Sequence, residues 1–254
     1  MVTATKTSTQ AEWEHLKTGM KTIRIDGEDL SYLDVGPRNA PNLLFTNGAL
    51  LTVDFWKYQV PVFSQYFRCI AYNYRTRGPR ANTADGFTAD ISDIIDGLGL
   101  APVTFIASSM SGLFVTRYAA THPERVNAMV ICSSFPRFPQ RFWVNVGQVG
   151  SYIVPTPFIA KRSRVLVCGD RDQELGDLFL RTVSAMDNET VRNRYNILRT
   201  TRNHDVLPRI KGVPTLIMSG DLDEDVPVEN GKYLADHIRG ADFTLLEGGG
   251  HLGY

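Results

Sequence analysis

The feature that most constrains this chain is a rhythm in which apolar runs of strand length alternate with segments of helical period. "NLLFTNG" at 42–48 is followed by a helix candidate around Phe55 to Phe63, and then by "FRCIAYNY". A helix comes next, with Ile91, Ile94, Ile95 and Leu98 spaced along one face. "VTFIAS", a helix from Gly112 to about Ala120, and "NAMVICSS" continue the series. Further on, "VPTLIMSGD", a helix over "ENGKYLADHI", and "ADFTLLEGGGH" resume it. Strands that read as continuous apolar runs between helices are those of a mostly parallel sheet covered on both faces. The expected fold class is α/β. Ahead of the series, "KTIRIDGEDLSYLDVG" alternates on both sides of Asp26-Gly27, which predicts an antiparallel hairpin.

This pattern divides the 254 residues into a polar lead-in at 1–20, a core made of 21–134 and 208–254, and an insertion at 135–207 read as a lid. In the insertion the rhythm breaks into "SFPRFPQRFW" and "SYIVPTPFIA", rich in proline and aromatics. A chain of this length buries a substantial core as one domain. The densest basic cluster, "KRSR" at 161–164, reads as a solvated loop.

Lys plus Arg and Asp plus Glu both count 27, so the formal net charge is zero and no long charged block stands out. That argues against a nucleic-acid partner or an electrostatic membrane-surface protein. No apolar stretch is long enough to span a bilayer, and the N-terminus lacks the apolar centre of a signal peptide. The protein therefore reads as cytoplasmic, and Cys69, Cys132 and Cys168, odd in number and without metal-ligand spacing, fit a reducing compartment.

The chemistry concentrates at "FIASSMSG", 105–112. Ala107 and Ser111 lie two positions either side of Ser109, and small neighbours are what a serine on a sharp strand-to-helix turn requires. A serine hydroxyl needs a base to take its proton and a third group to orient that base. His251 leaves the last apolar strand through "EGGG" and is the expected base. Asp223, in "SGDLDEDVP", ends an earlier strand with room for one helix and one strand before His251, and is the expected orienting acid. The rival Asp172, in "CGDRDQE", lacks the following Val-Pro.

Taken in order, the turn around Ser109, Gly220-Asp221-Leu222-Asp223 before Val226-Pro227, and Gly250-His251 resemble the α/β-hydrolase superfamily over nearly the whole chain. The resemblance implies an α/β-hydrolase fold with a lid. It also implies a serine hydrolase that cleaves an ester, lactone or thioester of a small acyl substrate through an acyl-serine, with neither metal nor organic cofactor. It implies oxyanion donors at the backbone N–H of Met110 and of Ala49, the latter in Asn47-Gly48-Ala49, where the family usually has His-Gly. That Asn-Gly-Ala is also similar to the loop of hydroxyacyl transferases in the same superfamily, so transfer of the acyl group to an alcohol or thiol stays open. A non-catalytic ligand-binding protein on the same fold is the third reading, motivated by Ala107, Ser111 and Asn47. The family continues past its histidine with a helix on the sheet, whereas this sequence has three further residues; either the sequence is truncated there or the surface is covered differently, for example by self-association as in a homodimer.

Trp56, Phe135, Phe138, Phe142 and Trp143 are the candidate lining of an apolar acyl or aryl pocket, or else the packing between lid and body. Arg75, Arg77 and Arg80 follow the fourth strand, where an acidic substrate would meet them if salt bridges did not.

Overall fold

In the computed structural model, which describes residues 6–139, 154–168 and 173–254, the rhythm becomes an eight-stranded sheet. Helix α1 (Lys6–Lys17) precedes β1 (Lys21–Ile25), β2 (Glu28–Val35) and β3 (Asn42–Thr46). Then come α2 (Gln59–Phe63), β4 (Arg68–Tyr72), α3 (Ala84–Gly97), β5 (Val103–Ser108), α4 (Ser111–Thr121) and β6 (Val126–Cys132). Helices α5 (Thr156–Cys168), α6 (Gln173–Ser184) and α7 (Asn188–Thr200) precede β7 (Thr215–Gly220), α8 (Val228–His237) and β8 (Ala241–Leu246). The strand order is β1-β2-β4-β3-β5-β6-β7-β8; β1 and β2 are antiparallel to each other, β2 is antiparallel to β4, and the remaining pairs are parallel. This is the α/β-hydrolase architecture. The hairpin turns at Asp26 and Gly27 with φ of 47° and 79°, the left-handed pair that a two-residue connection uses.

Two apolar clusters hold the layers together. Ile91, Ile94 and Ile95 of α3, Leu113 and Phe114 of α4 and Leu234 of α8 pack with Leu44, Phe105 and Ile217 of the sheet. Trp13 of α1 and Val60 of α2 pack with Leu33, Leu43, Phe45 and Ala71.

The structure adds one element that the sequence did not signal and departs from two local expectations. The polar lead-in contains α1, whose Trp13 is buried with its indole N–H donated to Asp54 Oδ1 at 3.2 Å. Val165–Cys168, strand-like in composition, is the last turn of α5, and "KRSR" lies inside the same helix rather than in a loop. A four-residue apolar run carries no period of its own, and here the helix is set by Ile159 and Ala160 packing with Phe179 and Val183 of α6. The helix expected over Phe55 to Phe63 divides into a 3-10 turn at Val53–Trp56 and the short α2.

Because β3, β5, β7 and β8 run parallel, the loops after all four gather at one edge of the sheet. They carry Asn47-Gly48-Ala49, Ser109, Asp223 and His251 in turn. The insertion between β6 and β7 supplies the other walls of a cavity at that edge.

Packing at the start of α4 is tight enough to test. A Cβ on Gly112 would lie 2.0 Å from Ser134 Oγ and 3.1 Å from Ile131 Cγ2. Gly112→Ala should therefore destabilise the fold by about 1–3 kcal/mol in urea unfolding, the usual cost of overpacking.

Candidate active site

Between the end of β5 and the start of α4 only Ser109 and Met110 reverse the chain. Ser109 takes φ of 53°, a conformation that costs a non-glycine residue about 1–3 kcal/mol and persists only when its surroundings impose it. Those surroundings are specific. The Ser109 N–H donates to the Cys132 carbonyl at 2.8 Å, and the Ser134 hydroxyl donates to the Ser109 carbonyl at 2.7 Å. The Ser111 hydroxyl accepts from the Ser108 N–H at 2.9 Å, and its proton faces the carbonyls of Thr46 at 3.0 Å and Ser108 at 2.9 Å. Ser111 thus ties β3, β5 and α4 together at a position where glycine would tie nothing.

The loop after β3 lies against this turn, since a Cβ on Gly48 would be 3.4 Å from Ser109 Cβ. Asn47 is buried and holds the loop by its amide. Its Nδ2 donates to the Tyr72 carbonyl at 2.8 Å and its Oδ1 accepts from Trp56 Nε1 at 2.9 Å, while Tyr74 donates its hydroxyl to the Asn47 carbonyl at 2.9 Å. Among the described residues, no acceptor takes the backbone N–H of Ala49 or of Met110. Ala49 lines the same cavity as Ser109, and Met110 follows Ser109 and leads into α4, whose dipole favours negative charge there.

On the far side, the loops after β7 and β8 are stitched to each other. The Leu222 N–H donates to the Gly249 carbonyl at 2.9 Å, and a Cβ on Gly220 would fall 2.2 Å from that same oxygen. The glycines before His251 are what let the two backbones meet. His251 Nδ1 then reaches Asp223 Oδ2 at 2.8 Å, while Asp223 Oδ1 accepts the N–H groups of Asp225 at 2.9 Å and Val226 at 2.8 Å. An ionised carboxylate only accepts, so Nδ1 carries the proton and the Nε2 lone pair of neutral His251 is available. A second carboxylate, Asp225 Oδ2, stands 3.8 Å from Nε2. Burial favours the neutral imidazole, but the charge and hydrogen bond of Asp223 and the charge of Asp225 outweigh it and raise the His251 pKa above the ordinary value.

The profile of the alpha/beta hydrolase family matches residues 43–254. The chain belongs to that family. This alpha/beta hydrolase is 22% identical over 228 residues to 3-oxoadipate enol-lactonase 1 of Acinetobacter baylyi, covering 87% of this chain and 86% of the relative. Over a shorter stretch of 118 residues, 44% of this chain and 43% of the relative, it is 31% identical to the bifunctional esterase/perhydrolase of Acinetobacter calcoaceticus. Among solved structures, the enol-lactonase from Burkholderia xenovorans superposes with a TM-score of 0.83 at 24% identity, over 89% of this chain and 91% of that one. An esterase from Exiguobacterium antarcticum superposes with a TM-score of 0.83 at 22% identity, over 91% and 92%. At these identities the structural likeness speaks for the fold.

In this alpha/beta hydrolase a cavity of about 510 Å³ opens on Ser109, His251, Asp225 and Ala49, with a mainly apolar wall from Leu51, Phe138, Phe158 and their neighbours. Of the aromatics expected there, Phe138 lines it. Trp56 does not: its indole N–H is taken by Asn47, and its ring sits 5.2 Å from Phe45 and 5.5 Å from Tyr254. Phe135 is a core residue set edge-on at 4.9 Å against Phe138 and does not line the cavity. Phe142, Trp143 and the rival acid Asp172 lie outside the described residues. The arginines after β4 are engaged elsewhere, Arg75 and Arg80 with Asp90 and Arg77 with Asp187 at 3.8 Å. Sequence reading missed Arg194, from α7, which does line the cavity; an arginine inside a charged helix pattern gives no sign of facing inward. Among the described residues no cluster of His, Cys, Asp or Glu is placed to hold a metal, and no helix is long and apolar enough to cross a membrane.

The two carboxylates around His251 make a checkable prediction. In an NMR titration the His251 imidazole should have its midpoint above the ordinary value of about 6.5. Asp225→Asn should lower that midpoint, because it removes one of the charges favouring the imidazolium; an unchanged midpoint would show that Asp225 does not act on the ring.

Proposed function

We propose that this alpha/beta hydrolase cleaves a carboxylic ester-type bond, in an ester, lactone or thioester, through an acyl-serine intermediate. The observation that carries this reading is the pairing of a serine in an imposed left-handed turn with a buried, carboxylate-oriented histidine at the same cavity. The names of the relatives, enol-lactonase and esterase, support it from a separate direction.

In this mechanism His251 Nε2 takes the Ser109 proton as Oγ attacks the scissile carbonyl, so that a C–O bond forms and the carbonyl oxygen becomes an oxyanion. The free N–H groups of Ala49 and Met110 receive that charge, where preorganised donors are worth far more than in water. The tetrahedral centre collapses, the bond to the leaving group breaks, and His251 returns the proton to the departing oxygen or sulfur. Water then repeats the sequence on the acyl-serine and releases the acid. Throughout, Asp223 holds the imidazole and stabilises its charged form without itself taking the proton. Because His251 must be neutral to act as a base, its raised pKa moves the acidic limb of the rate profile upward.

Asn47 braces the loop after β3 whatever the acyl acceptor, so the feature that suggested acyl transfer does not favour it over hydrolysis. Ser109→Ala should lower kcat on an activated aryl ester by roughly 10⁴-fold or more while thermal unfolding stays cooperative, as for loss of a serine nucleophile. Hydrolysis at the unmodified rate in that variant would remove Ser109 from the mechanism.

A further inference from the structure

The buried imidazole of His251 has one carboxylate more than its orientation requires. Asp223 Oδ2 stands 2.8 Å from Nδ1 and fixes the ring. The other Asp223 oxygen accepts the N–H groups of Asp225 at 2.9 Å and Val226 at 2.8 Å, so the backbone that carries the second carboxylate is pinned by the first. Asp225 then stands at the opposite edge of the ring, with Oδ2 3.8 Å from Nε2. That is too long for a hydrogen bond between the two, and it leaves a place for a third atom. An oxygen at the ordinary reach of about 2.8 Å from both would see them about 85° apart, close to the spread of water's two O–H bonds. The Asp225 side chain is 21% exposed, against 3% for His251, and it lines the cavity that holds Ser109. Among the described residues of that mainly apolar lining, it supplies the one carboxylate.

Deacylation gives this arrangement a use. Once the leaving group has gone, whatever takes the acyl group from Ser109 must bring a proton within reach of Nε2, because that nitrogen is the base. Water brings two O–H bonds, one for Nε2 and one for Asp225 Oδ2. An alcohol or thiol brings only one. Its carbon substituent then meets the carboxylate, which loses contact with water and gains no donor in return. We propose that Asp225 positions the water that hydrolyses the acyl-serine, and so directs this enzyme to hydrolysis over acyl transfer. The water oxygen bonds to the acyl carbon as one of its protons passes to Nε2. The bond to Ser109 Oγ breaks as that proton moves on to Oγ, while the second proton stays on the new acid and is donated to Asp225 throughout. This role rests on the reading of Ser109 as the nucleophile.

The test is a partition experiment with p-nitrophenyl acetate in buffers of rising methanol content, in which acetate and methyl acetate are both quantified. The two products arise from one acyl-enzyme, so their ratio is independent of how fast that intermediate forms and of what fraction of the protein is folded. Assays run on the plateau above the acidic limb of the rate profile, where His251 is neutral in every variant, so that a shifted midpoint does not enter the comparison. Asp225→Leu should raise the ratio of methyl acetate to acetate by about ten- to hundredfold at a given methanol concentration, the range of a hydrogen bond to a charged group. Asp225→Asn, which keeps an acceptor without the charge, should raise it by less. A residue that only braces the loop or tunes the ring would lower both products together and leave the ratio where it was, and an unmoved or falling ratio overturns the proposal. Should neither variant fold, the unmodified enzyme decides: water taken over methanol mole for mole supports the role of Asp225, and methanol taken in preference refutes it. Ser109→Ala separates the two ideas. Product formation that needs Ser109 but partitions alike with and without Asp225 removes only the positioning role, whereas turnover independent of Ser109 removes the underlying mechanism.

Discussion

The rest of this structure depends on a reversal of the chain in two residues between β5 and α4. A handover that short forces Ser109 into left-handed backbone, which a side chain resists. The neighbourhood is built to impose it: Gly112 lets α4 close on Ser134, the Ser134 hydroxyl holds the Ser109 carbonyl, and Cys132 of β6 takes the Ser109 N–H. Ser111, small enough for the turn, also fastens it, since its buried hydroxyl bonds to both adjoining strands. The backbone strain and the presentation of Ser109 Oγ to the cavity are two aspects of the same geometry.

Parallel strands do the remaining assembly. Four loops separated along the chain come to one sheet edge because their strands share a direction, and the loops after β7 and β8 lock by a backbone bond that only glycine permits. The imidazole of His251 is therefore fixed before any ligand arrives. Its electrostatic setting has two sides, with Asp223 defining the tautomer from Nδ1 and Asp225 favouring the charged ring from Nε2. Preorganisation of this kind lowers the cost of forming the imidazolium as the serine proton moves.

The fold was largely legible in the sequence because strands buried on both faces read as unbroken apolar runs, and because Asp26-Gly27 admits few conformations other than a hairpin turn. Asp223 and His251 could be picked out because each ends a strand in a glycine-bearing loop, and the structure joins them by a hydrogen bond. What could not be read depended on partners distant in the chain. Val165–Cys168 has a strand's composition but is helical because α5 packs on α6. Trp56 has the character of a pocket residue, yet Asn47 claims its N–H and Phe45 and Tyr254 enclose its ring. Arg194 belongs to a helix whose sequence is polar, and only the meeting of α7 with the loop after β4 turns it inward.

The central claim is that Ser109 is an activated nucleophile, and the most direct measurement of it is intact mass after exposure to a fluorophosphonate, followed by peptide mapping. The account predicts one adduct per chain, located on Ser109 and forming faster as pH rises through the His251 titration. A well-folded protein that takes up no adduct, or that carries it on another residue, would contradict it.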